Sequence, residues 1–78
     1  MSQQDLEKQE EEKARNEFNQ QVQAGTLQGS YIKSFSPKAG TTVTHYGWRS
    51  SNGFIGLVVK TESRYHSGLA LTSLRRDS

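Results

Sequence analysis

Two hydrophobic periods divide this chain. Over residues 2–24 the apolar positions Ala14, Phe18 and Val22 recur every fourth residue among Gln, Glu, Lys and Arg. That spacing lines one face of a helix, and the surrounding residues are good helix formers. Ser2 with Asp5 three positions later fits a capping box, and Gly25 fits the position just past the helix end. Glu11 with Arg15, four apart, and Glu10 with Lys13 and Glu12 with Arg15, three apart, add favourable pairs along the surface. Leu6 falls off the apolar line. Only the second half of the helix therefore has a face to bury. The first half, Gln3–Lys13, reads as a solvated helix end or a partner-binding arm.

From Leu27 onward, short runs rich in β-branched and aromatic residues alternate with turn signals. Tyr31–Phe35, Thr41–Arg49, Phe54–Thr61 and His66–Leu74 read as strands. Ser36–Gly40, Ser50–Gly53 and Glu62–Arg64 separate them, and Arg75–Ser78 reads as a charged, frayed end. The predicted fold is α+β: one N-terminal helix packed on a four-stranded antiparallel β-meander. Asn52-Gly53 is a strong two-residue hairpin signal, because both residues tolerate positive φ. Used that way, it sets Trp48 opposite Leu57 and Tyr46 opposite Val59. A three-residue loop at Glu62–Arg64 then sets Leu57 opposite Leu69 and Ile55 opposite Leu71. The expected core face is Tyr46, Trp48, Ile55, Leu57, Val59, Leu69 and Leu71, covered by Leu27, Ile32 and the helix stripe. A five-residue first loop would align Tyr31 with His45.

Length and composition bound the answer. Seventy-eight residues make one domain, and its apolar fraction of 31% implies a small core. Part of the chain is then solvated, or a second copy or partner completes the burial. With no cysteine there are no disulfides and no thiolate metal sites. The longest apolar stretch, Phe54–Val59, is too short for a membrane span or signal peptide, so the expected location is the cytoplasm and no membrane partner is expected. No cofactor motif is present. Lys38-Ala39-Gly40-Thr41-Thr42 lacks the glycine spacing of a phosphate-binding loop.

Charge adds a further division. Residues 1–24 hold three basic and six acidic side chains, a net −3, while residues 25–78 hold seven basic and two acidic, a net +5. An acidic helical arm thus precedes a basic, aromatic-bearing sheet, which suggests a binding protein with two unlike surfaces. In the register above, the open face of the sheet carries the candidate binding residues His45, Arg49, Phe54, Val58, Lys60 and His66. Val43, Leu74, Phe35 and Lys33 share it.

That face supports two main expectations. Its apolar residues fit a protein interface, so the leading one is a small non-enzymatic interaction or regulatory protein of the adaptor or inhibitor type. It would bind a protein partner, or itself, through the open face and the acidic helix. The alternative is RNA or single-stranded DNA, held by cations on phosphates and aromatic rings on bases. A minor alternative is a metal-free ribonuclease, since His45, Lys60 and His66 fall in one cross-strand row in this register. His45 and His66 lack a third metal ligand nearby.

Overall fold

A computed structural model of the protein describes residues 3–77. Helix α1 (Gln3–Ala24) packs on one face of a four-stranded antiparallel sheet of β1 (Ser30–Lys38), β2 (Thr41–Arg49), β3 (Phe54–Ser63) and β4 (Ser67–Arg76). The strands lie in chain order, a meander, as the alternation of short strands and turn signals predicts. Ser2 of the expected capping box lies outside the described residues.

The helix ends where Gly25 takes φ 72°. Gly25 N donates to Val22 O and Thr26 N to Gln21 O, the paired bonds of a Schellman cap. The apolar spacing seats the helix as expected: Ala14 and Phe18 are buried, and Val22 packs beside Phe18. Phe18 meets Trp48 edge to face, with ring centroids 5.5 Å apart, and Gln21 Oε1 accepts from Trp48 Nε1 at 2.9 Å. Both interactions hold the second half of the helix over the C-terminal end of β2.

The hairpin registers differ from the expected ones, and turn chemistry explains how. Asn52 has no positive φ; only Gly53 does, at 89°. A two-residue turn of the Asn-Gly kind needs both. The chain instead forms a three-residue loop, Ser51-Asn52-Gly53. Gly53 N donates to Ser50 O and Ser50 N to Phe54 O, and Ser50 Oγ accepts from Phe54 N. The helix holds this loop. The Glu17 carboxylate accepts from Ser51 N at 2.9 Å and from the Ser51 hydroxyl. Asn52 Nδ2 donates to Glu10 O at 2.8 Å and to Glu10 Oε2. An Asn52 side chain turned toward the helix is used by the tertiary fold rather than by a tight turn.

The one-residue difference inverts β3, because successive strand side chains alternate faces. Trp48 pairs with Gly56 and Tyr46 with Val58. Phe54 and Val58 are therefore buried beneath the helix, at 5% and 0% exposure, and Ile55, Leu57 and Val59 turn to the opposite face. On β4, Val58 pairs with Leu71 and Gly56 with Leu74, with an irregularity between them. The extra residue, Thr72, lets both leucines face the helix and join the core around Phe18, Trp48 and Val58. Leu74 was expected on the outer face.

The other two turns shorten instead. Lys38 pairs with Thr41, so the first loop is Ala39-Gly40, with φ 80° at Gly40 as a type II turn requires. The irregularity between Phe35 and Lys38 absorbs the residues expected to form a longer loop, and Tyr31 pairs with Tyr46 rather than His45. At the last turn Ser63 N bonds His66 O. Strand β4 continues through Arg76, and Asp77 N bonds Gly53 O, so the tail expected to fray is paired as far as Asp77.

Candidate interaction surface

The helix covers one face of the sheet. The cross-strand pairs assign the residues of the other. Its first row is Arg49, Ile55 and Arg75; the second is Gly47, Leu57 and Ser73; the third is Lys33, His45, Val59 and Ala70; the fourth is Phe35, Val43, Thr61 and Gly68. Ile32 joins the second row beside Gly47. An aliphatic stripe, Ile55–Leu57–Val59, each residue half-buried, thus runs along β3 between Arg49, Gly47 and His45 on β2 and Arg75, Ser73 and Ala70 on β4. A groove of about 810 Å³ at the Arg49–Arg75 end of the sheet is lined by Ile32, Gly47, Arg49, Ile55, Leu57 and Arg75 of the open face and also by Gln21, Trp48 and Gly56 on the helix side, and it reaches the linker residues Gln28 and Gly29.

The expected site residues do not share this face. His45 and Arg49 do. Phe54 and Val58 are core residues, placed inward by the three-residue turn. Lys60 pairs with Thr44 and Leu69 on the helix side. Its Nζ lies 3.5 Å from Glu62 Oε1, and it lines a second hollow of about 500 Å³ with Val22, Leu27, Tyr46 and Leu69. His66 is exposed in the β3–β4 turn, where its N–H meets Ser63 Oγ. The row of His45, Lys60 and His66 needed for acid–base RNA cleavage is not formed: His45 pairs with Val59. Among the described residues, no three His, Cys, Asp or Glu side chains come together as a metal site.

Sequence reasoning put Lys33 on this face but missed Ile55, Leu57, Val59 and Arg75 as members of it. The aliphatic three were read as core because alternation alone does not say which face of a strand is buried. Arg75 was read as tail.

The electrostatics of this face are simple. Lys33, Arg49 and Arg75 supply positive charge. Arg49 pairs with Asp77 at 3.0 Å, mostly in solvent, so the pair contributes little to stability. Lys33 lies 5.7 Å from the Phe35 ring centre, and Phe35 meets His45 edge to face at 5.5 Å. Phe35 is the one Phe, Tyr or Trp residue of this face. Trp48 is buried, and Phe54 is capped on the helix side by Arg76, 5.0 Å from its ring centre.

The acidic arm is not wholly solvated. Glu10 and Glu17 are engaged with the Ser51-Asn52 turn, and the Asn52 amide, followed by the Lys13 charge, holds the Glu10 carboxyl below its ordinary pKa. Glu11 pairs with Arg15 on the exposed surface. No helix among the described residues is long and apolar enough to cross a membrane. The chain matches no protein-family model, no curated protein and no solved structure.

Proposed function

We propose that this protein is a small non-enzymatic interaction protein, of the adaptor or inhibitor type, that engages protein through the open face of its sheet and presents its acidic helix as a second contact surface. The observation that supports this best is the Ile55–Leu57–Val59 stripe. It lies half-buried on the face opposite the helix, and the same face carries Ile32 and Phe35 on β1, across β2, which are 53% and 46% exposed. A contiguous apolar strip with a basic border is what a protein interface presents.

Single-stranded nucleic acid is the second reading, and the cations Lys33, Arg49 and Arg75 on this face favour it. Base stacking weighs against it, because stacking platforms need several exposed rings and this face offers Phe35 alone.

A photo-crosslinking residue at Ser73, on the open face, tests the protein reading, and the same residue at Glu12, on the exposed helix, tests the second contact surface. Specific protein adducts from Ser73 that disappear with Leu57→Lys support it. Labelled RNA or DNA bound in a salt-dependent way by wild type, and lost with Arg75→Ala, together with no protein adduct, would replace it with the second reading.

A further inference from the structure

The protein that covers the open face can be specified. We propose that it is a second copy of this chain, packed face to face with antiparallel strands, so that two sheets form the centre of a four-layer dimer with a helix on each outer side. This rests on the reading of the open face as a protein interface.

The need for such a partner follows from the core. Among the described residues, the buried apolar side chains are Ala14, Phe18, Trp48, Phe54 and Val58, all on the helix side or on the helix itself. A sheet with apolar side chains on both faces is stable when both are covered. The available area is sufficient. Four strands at about 4.8 Å and four rows at about 6.8 Å give a footprint of about 19 by 27 Å. Two copies would bury about 1,000 Å² before side-chain relief is counted, the lower bound for a specific interface.

The order of residues on the face selects the orientation. A two-fold axis lying across the strands, between the second and third rows, puts each row over a different row of the other copy. Arg75 then lies over the other copy's Gly68, His45 over Gly47, Leu57 over Val59 and Ser73 over Ala70. Large groups meet small ones and the aliphatic stripe meets itself. The Arg49–Arg75 rows of the two copies are separated by three row steps, about 20 Å, well beyond the screening length of about 8 Å at physiological salt. An axis along the strands would gather those four arginines at one end. The antiparallel arrangement therefore avoids the arginine repulsion that the parallel one incurs, while it sets the two Lys33 residues one row step, about 7 Å, apart along the edge strand.

The test is mass by light scattering on the purified full chain at about 100 µM, in about 0.15 M and about 0.5 M salt. The expected result is twice the chain mass at both salts, falling to the chain mass with Leu57→Lys while far-UV circular dichroism and Trp48 emission stay native. Ser73→Arg is the second variant, at an exposed position whose folding is not at risk; it is expected to raise the dimer dissociation constant at least tenfold. A monomeric wild type overturns the proposal. So does a dimer indifferent to both variants. Crosslinking from Ser73 separates the two levels: a monomer that still yields Leu57-dependent adducts to a different protein refutes the dimer alone, and a monomer that yields none removes the protein-interface reading as well.

Discussion

Gly56→Ala tests the register on which every face assignment depends. Gly56 lies on β3 beneath the helix, opposite Trp48 and Leu74. A Cβ there would sit 2.6 Å from Leu71 Cδ1, 2.8 Å from Ser73 O and 3.2 Å from Leu74 Cδ1. Carbon contacts are comfortable at about 3.5–4.0 Å. The leucine methyls can swing away, but the Ser73 carbonyl belongs to the β4 backbone next to the Thr72 irregularity and moves only with the strand. Overpacking of this kind costs about 1–3 kcal/mol; with backbone involved, the upper half of that range is expected. In a chain of this length that lowers Tm by about 10–20 °C. Gly47→Ala is the reference. It lies one residue from Trp48 on the other face, where a Cβ meets nothing closer than 3.9 Å, and replacing a strand glycine there is neutral or stabilising by about 0.5 kcal/mol. Thermal unfolding followed by circular dichroism, at one protein concentration and in a Leu57→Lys background that keeps the chain monomeric, compares the two without any contact from a second copy over Gly47. In the register of a two-residue Asn-Gly turn, both glycines would lie on the open face and both alanines would be tolerated. Equal Tm values for the two variants would therefore refute the assigned register and the surface built on it.

Three further outcomes follow from the same geometry. Phe54→Ala removes a side chain that is 5% exposed and is expected to cost about 3–5 kcal/mol, so urea unfolding should show it as a folding defect rather than a selective loss of binding. Gln21→Ala leaves the Trp48 indole N–H without its acceptor and should cost about 1 kcal/mol; acrylamide should quench wild-type Trp48 poorly and the variant more readily. Because the folded-state pKa of Glu10 is depressed by the Asn52 amide and by Lys13, its contribution is fully present above the ordinary glutamate pKa of about 4.3 and fades as pH falls through the lowered value. Carboxyl NMR titration should show that pKa rise in Asn52→Ala, and an unchanged value would discount the contact.

The architecture was legible because it depends on signals local to each segment. The Ala14–Phe18–Val22 spacing, the Gly25 cap and the alternation in Thr41–Arg49 each point to one element and one buried face. Trp48 and Tyr46 were placed correctly for that reason. The face of β3 was not legible, since Phe54–Val59 is apolar at five of six positions, and either alternate set could fill a core. What decided it was a long-range contact. Ser51 and Asn52 bond to Glu17 and Glu10, residues 34 and 42 positions away, and no window around the turn contains that information.

This contact also changes the meaning of the acidic arm. A run of glutamates before a basic sheet reads as a solvated or partner-binding surface, yet two of the six acidic side chains hold the β2–β3 loop in its three-residue form. That loop puts Phe54 and Val58 inside and turns Ile55, Leu57 and Val59 to the open face. The helix therefore shapes the interaction surface from the opposite side of the sheet, by setting which residues β3 offers to it. Glu17→Ala should loosen the loop without touching the open face. If the surface depends on the clamp, that variant should weaken whatever the Ile55–Leu57–Val59 stripe binds while Arg75→Ala, which leaves the clamp intact, keeps the loop's amide exchange at the wild-type rate. Faster exchange at Ser51 and Asn52 in Glu17→Ala with binding undiminished would show that the strand keeps its register alone, and that the acidic residues are incidental to it.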